Sequence, residues 1–122
     1  MILADTSIWV DHLRSGNADL AARLRANAIV CHPMVVAEIA LGSLKARTRV
    51  LGLLDGLATL PVAEPDEIRR MIEIRSIHGR GIGYVDAALL ASCLLVPGTR
   101  LWTRDRRLGV VAGELHLGLP VS

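Results

Sequence analysis

Short apolar runs in this chain alternate with longer stretches in which apolar residues recur every three or four positions. Ile2–Ala4 is unbroken apolar sequence, too short for a helix and suited to a buried strand. From Ser7 to Arg14, Trp9 and Leu13 stand four apart, which predicts a helix that Ser15-Gly16 ends. Leu20 and Leu24 share one side of a second predicted helix, Ala18–Ala26, with Arg23 and Arg25 turned elsewhere. The apolar run at 28–31 predicts a second strand, and Pro33 then takes the favoured first position of a helix. That helix carries Met34, Ala37, Glu38 and Leu41 at helical spacing and stops near Gly42. Arg47–Leu57 predicts another helix, and Ala58–Val62 a third short strand. Pro65 opens a helix over 66–78 with a stripe of Ile68, Met71 and Ile72, followed by the flexible connection "GRGIG" at 79–83. Residues 84–96 are apolar nearly all round, which predicts a buried helix that Pro97-Gly98 terminates. "RLWT" at 100–103 reads as a fourth strand and Asp105 as the start of a turn or short helix. "ELHLGLPV" at 114–121 reads as a fifth strand at the sheet edge.

Strands this short and apolar, alternating with helices, predict an α/β fold: a central, mainly parallel sheet of four to five strands covered by helices on both faces. The 122 residues suffice for one domain, 1–122, with no internal repeat or linker.

A hydrophobic content of 52% raises the question of a membrane. The longest apolar run, Tyr84–Val96, contains Asp86 and falls well short of the roughly 20 residues a bilayer crossing needs. No basic segment followed by a long apolar stretch opens the chain, so a cytoplasmic protein is expected. The surplus of apolar residues is expected in the core and on a partner surface, with 47–57 and 66–78 the candidates for self-association. Cys31 and Cys93 lie in apolar segments without metal-ligand spacing and are expected as buried thiols.

Most of the 12 acids sit among polar residues or at predicted helix ends. Four do not. Asp5 follows "MILA", Glu38 is the sole charge in "PMVVAEIALG", Asp86 the sole charge in "YVDAALLASCLLV", and Asp105 follows "LWTR". Singly, each has an ordinary explanation: Asp5 and Asp105 as helix N-caps, Asp86 as a first-turn acid facing the helix dipole, Glu38 as the partner of an arginine. Together they point elsewhere. In an open parallel sheet the carboxyl ends of the strands line one edge, and helices begin there. Asp5 and Asp105 end strands, while Glu38 and Asp86 occupy early turns of helices starting on that edge. Two carboxylates about 4 Å apart repel by roughly 4 kcal/mol at an effective dielectric of 20. Four such groups protonate, spread apart or bind a cation, and an all-oxygen set suits Mg²⁺ or Mn²⁺ rather than zinc. Ser7 and Thr103 stand two residues from Asp5 and Asp105, placed to hydrogen-bond a carboxylate or a metal-bound water while also capping a helix or filling a strand.

These pieces, "ADTSIWVDHL", "VVAEIALG", "GIGYVDAALLASCL" and "LWTRDRRL", resemble in order and spacing the small single-domain VapC-type toxins of the PIN-domain family. The resemblance implies a three-layer α/β/α PIN fold and a Mg²⁺-dependent ribonuclease. It maps the acidic site onto Asp5, Glu38, Asp86 and Asp105, with Asp5 and Asp86 the acids most often assigned to metal and Ser7 and Thr103 as polar support. It further implies a homodimer and a VapB-type antitoxin whose C-terminal segment covers the site. The chain departs from the pattern at Cys31-His32-Pro33, where a serine or threonine is common; His32 is expected exposed. Leu108 stands where phenylalanine is common, a difference of packing.

Arginine dominates the basic side, Lys45 being the sole lysine among 14 basic residues. With four acids committed to a cation, the rest of the molecule is distinctly positive and suits a polyanion. Arg80, Arg100, Arg104, Arg106 and Arg107 are close in sequence to Asp86 and Asp105; Arg80, Arg104 and Arg106 are the candidates for RNA phosphates. Three aromatics do not make a base-stacking platform, so recognition is expected to follow RNA shape and backbone. A phosphate-accepting receiver domain would need a lysine near the late strands, and a haloacid-dehalogenase-like phosphatase a second acid at position 7; neither is present. "GRGIG" follows a helix and lacks the dinucleotide-binding spacing. The remaining rival is a catalytically inactive PIN-like module that binds RNA or protein.

Overall fold

The computed structural model describes residues 1–119. Its centre is β1 (Ile2–Ala4), buried along its whole length and paired in parallel on both sides. On one side lies β2 (Ile29–Val30), with Ile2 opposite Ile29 and Leu3 opposite Val30. On the other lies β3 (Arg100–Trp102), with Ile2, Leu3 and Ala4 opposite Arg100, Leu101 and Trp102. The order β2-β1-β3 carries helices between every pair of strands, the three-layer α/β/α arrangement.

The expected strand around Ala58–Val62 and the expected edge strand within 114–121 each contribute one bridging residue, Thr59 opposite Cys31 and Gly118 opposite Leu101. At the first, the Cys31 amide donates to the Ala58 carbonyl and the Leu60 amide to the Cys31 carbonyl. There the ladder stops, because Pro33 has no N–H to extend it to the Leu60 carbonyl. Pro120 and Val121 of the second segment lie outside the described residues.

Helices α1 (Thr6–Ser15) and α2 (Ala18–Arg25) join β1 to β2. Between β2 and β3 come α3 (Pro33–Ala40), α4 (Arg47–Asp55), α5 (Pro65–Ile74) and α6 (Tyr84–Leu95), and α7 (Arg106–Glu114) follows β3. α6 is buried from Ala87 through Cys93, as its unbroken apolar sequence requires. Burial pushes the Cys93 thiol up to about 12 and, chiefly for the same reason, raises that of Cys31, so both are inert core residues. No helix among the described residues is long and apolar enough to cross a membrane.

The helix expected over 66–78 ends at Ile74. Ser76 adopts a left-handed φ of 53°, and the Ile77 amide turns back to donate to the Ile72 carbonyl while the Ile77 side chain is buried. α2 and α7 end in the same way, at Asn27 (φ 54°) and His116 (φ 59°), with the amides of Ala28 and Leu117 donating to the carbonyls of Arg23 and Ala112.

His32 was expected on the surface and is fully buried. It is the N-cap of α3: its Nδ1 accepts the Met34 amide at 3.1 Å, which places the ring proton on Nε2, where it donates to Ser92 Oγ at 3.0 Å. The ring thereby does the capping work of the usual serine or threonine and ties α3 to α6.

Candidate metal centre

The four singled-out acids all lie at helix starts or on a helix beside the carboxyl end of β1. Asp5 directly follows β1 and caps α1; its Oδ1 accepts the Ile8 amide at 3.3 Å and the Ser7 hydroxyl at 2.5 Å. Asp105 caps α7 through Oδ1, which accepts the Leu108 amide at 3.1 Å. Asp86 lies in the first turn of α6, where its Oδ2 accepts the Gly83 amide at 3.4 Å. Glu38 is exposed: its apolar sequence neighbours Val35 and Ile39 point into the core, and Glu38 projects from the other side of α3. Its Oε1 accepts the Thr6 hydroxyl at 2.6 Å.

The capping explanation holds for Asp5 and Asp105 and is compatible with the expected convergence. Each carboxylate commits one oxygen to a hydrogen bond that fixes its position, and among the described residues the other oxygen, Oδ2 of Asp5 and Asp105, Oδ1 of Asp86 and Oε2 of Glu38, has no protein donor. Asp86 reports the consequence. Burial raises its proton affinity most, the Gly83 amide opposes that, and the charges of Asp105, Asp5 and Glu38 each raise it further. All four acids thus act on one region of space. Among the described residues no three acidic, histidine or cysteine side chains form a ready-made chelate. The donor chemistry, oxygens alone with mutual repulsion unrelieved, nevertheless fits a hard divalent cation.

Ser7 links two segments. Its hydroxyl donates to Asp5 and accepts the Arg104 amide at 2.9 Å, so α1 and the β3–α7 connection are held on one atom. Thr103 Oγ1 accepts the Asp105 amide at 3.0 Å and shapes the turn that presents Asp105. Thr6 was not singled out in the sequence. The adjacent threonine of "DTS" was an available signal, but its partner Glu38 is distant along the chain.

The arginines divide. Arg80 grips both oxygens of Glu114, at 2.9 and 2.5 Å, and Arg104 pairs with Asp11 at 2.5 Å. Arg100 donates to the His116 carbonyl, and the Arg107 side chain lies against Gly81. Arg106 is exposed, and no carboxylate among the described residues pairs with it.

A parallel three-layer sheet with an acidic centre at its carboxyl edge defines a class of protein, and the family model of the PIN domain matches residues 2–114. The chain belongs to the PIN-domain family, in its VapC branch. It is 49% identical over 119 residues to Ribonuclease VapC32 of Mycobacterium tuberculosis, a match covering 98% of this chain and 96% of the relative. It is 29% identical over 129 residues to VapC ribonuclease Mb1587 of Mycobacterium bovis, covering 96% of each. The crystal structure of PAE2754 from Pyrobaculum aerophilum superposes with a TM-score of 0.65 at 20% identity, covering 90% of this chain and 83% of the other, a likeness of fold.

Proposed function

We propose that this protein is the toxin of a VapBC-type toxin–antitoxin pair, a single-domain cytoplasmic endoribonuclease that hydrolyses RNA phosphodiester bonds with Mg²⁺, for which Mn²⁺ substitutes. The observation that carries the reading is the set of four carboxylates, Asp5, Glu38, Asp86 and Asp105, each held by one oxygen with the other unpartnered, and Asp86 feeling the charge of the remaining three. The near-full-length relatives named as ribonucleases support the same chemistry.

Asp5 and Asp86 would hold the cation most directly, with Asp105 and Glu38 completing the oxygen set. The bound cation supplies charge neutralisation and an acidified water at neutral pH. A carboxylate oxygen left clear of the cation would accept the proton of the attacking water and hold it in line with the phosphorus–oxygen bond to be broken, whose leaving oxygen takes a proton from solvent. Ser7 and Thr103 fix the two capping acids, and Thr6 fixes Glu38, so little reorganisation is left for the reaction. Arg106 is free for a phosphate, whereas Arg80 and Arg104 reach one only by opening their ion pairs. A VapB-type antitoxin and a second copy of the chain are the expected protein partners.

The test is cleavage of structured and unstructured RNA with Mg²⁺ or Mn²⁺. Cleavage should be abolished by EDTA and reduced roughly a hundredfold or more in Asp5→Asn. RNA that is retained on a gel by the wild type yet never cut with either ion would overturn the nuclease and leave an inactive RNA-binding PIN-like module.

A further inference from the structure

Beside the acidic centre, between α2, β3 and α7, runs a groove of about 500 Å³ whose lining includes Arg23, Trp102, Thr103, Arg106 and Val110. That volume is within the range of sites for single small ligands. The half-buried Trp102 ring is covered by the Arg23 guanidinium, whose carbon lies 5.4 Å from the ring centre. Arg23 is oriented there by Asp19, whose Oδ1 accepts from its Nε at 2.9 Å, so the acid in the groove is already neutralised and Arg106 leaves the lining positive. An indole, a stacked guanidinium and a free guanidinium around a mixed apolar and polar hollow are what a purine or pyrimidine with its phosphate requires.

The groove's lining residues Trp102, Thr103 and Arg106 flank the acidic residues through the backbone. The Trp102 carbonyl accepts the Asp5 amide at 3.0 Å, and Thr103, which lines the groove, holds the Asp105 amide. Trp102 therefore stands three residues before Asp105 on the chain and is hydrogen-bonded through its carbonyl to the backbone of Asp5.

We propose that this groove is a single-base subsite: an unpaired nucleobase flanking the scissile phosphate stacks on the Trp102–Arg23 pair, and Arg106 binds the phosphate on that side. This rests on the nuclease reading and makes the preferred substrate single-stranded at that position, since only an unstacked base can enter. One such subsite is consistent with a chain having few aromatics, because it needs one ring rather than a platform.

Tryptophan emission tests the subsite independently of cleavage. Trp9 is only 5% exposed, which leaves Trp102 as the tryptophan able to respond to a ligand in solution. In EDTA, a short unstructured single-stranded RNA should quench wild-type emission, and the same sequence as a duplex should not. Labelled-RNA anisotropy should give affinity roughly tenfold weaker in Trp102→Leu and near wild type in Trp102→Phe, the size expected for one stacked base. With Mg²⁺, Arg106→Ala should raise KM several-fold with little change in kcat. Unmoved emission, together with unchanged KM in Arg106→Ala, overturns the proposal, and this pair of measurements holds even where Trp102→Leu does not fold. If the wild type cuts no RNA but its emission is quenched by single strands, the nuclease reading fails and the subsite survives as an RNA-binding groove.

Discussion

His32 shows how one side chain sets a condition on the fold. Its Nδ1 can accept the Met34 amide only while unprotonated, and burial lowers its pKa from the ordinary 6.5. A base whose folded pKa lies below its unfolded value contributes its stability above the unfolded value and loses it as pH falls towards the folded one. The melting temperature should therefore fall as pH drops below about 6.5. His32→Asn keeps a capping oxygen and has no ring to charge, so thermal melts across pH 5–8 should show a shallower acid slope than wild type. Equal slopes would remove His32 as the cause. At the acidic residues, position follows equally local rules. Asp5 and Asp105 stop short strands and cap the helices that follow, which was legible from the apolar runs before them. Glu38 has apolar neighbours in sequence yet stands on the exposed side of α3, where its carboxylate accepts the hydroxyl of Thr6, because adjacent helical residues face different directions.

Among the elements, the termination of α5 was the hardest to read, and α2 and α7 end in the same way. Each uses a left-handed residue that is not glycine, Asn27, Ser76 and His116, so the usual punctuation is missing from the sequence. What fixes these ends is tertiary: Ile77 and Leu117 are drawn into the core just past the turn. Ser76 makes a simple test of that strain. Ser76→Gly should raise the melting temperature by a few degrees, up to about 1 kcal/mol, whereas Ser76→Val should lower it, since a β-branched residue is poorly accommodated at positive φ. A valine variant as stable as the glycine variant would contradict this account of the turn. The connection 79–83 is likewise shaped from outside itself. Arg107 fills the space where a Cβ on Gly81 (φ 77°) would stand, and Arg80 is bound to Glu114, so the loop ahead of Asp86 is fastened to the helix that begins at Asp105.

For the molecule as a whole, the proposed function makes the acidic centre a cost that a bound cation would relieve. Millimolar Mg²⁺ should raise the melting temperature of the wild type; occupancy at a hundredfold excess over Kd corresponds to about 2.7 kcal/mol. Asp86→Asn removes the charge that burial and the other three acids oppose. Without metal it should melt higher than the wild type, and it should lose most of the Mg²⁺-induced shift. A variant that melts lower than the wild type in EDTA would show that the acids do not strain the fold.

The sequence by itself determined the layering and marked the candidate site. Apolar runs too short for helices had to become buried strands, the mostly apolar stretch around 84–96 had to become a buried helix, and four acids in apolar surroundings or at strand ends stood out as the candidate site. These are properties of local pattern, which burial and hydrogen bonding translate into elements without reference to distant residues. Only the tertiary structure decided what each group pairs with: Thr6 with Glu38, Ser7 with both Asp5 and the Arg104 amide, His32 with Ser92, Arg80 with Glu114. It also decided that two expected strands shrink to bridging residues and that Arg106, rather than Arg80 or Arg104, is left unpaired among the described side chains. The physical reason is range. A period of two or of 3.6 residues is written between neighbours, whereas a hydrogen bond or ion pair across the sheet depends on which segments folding brings within about 3 Å.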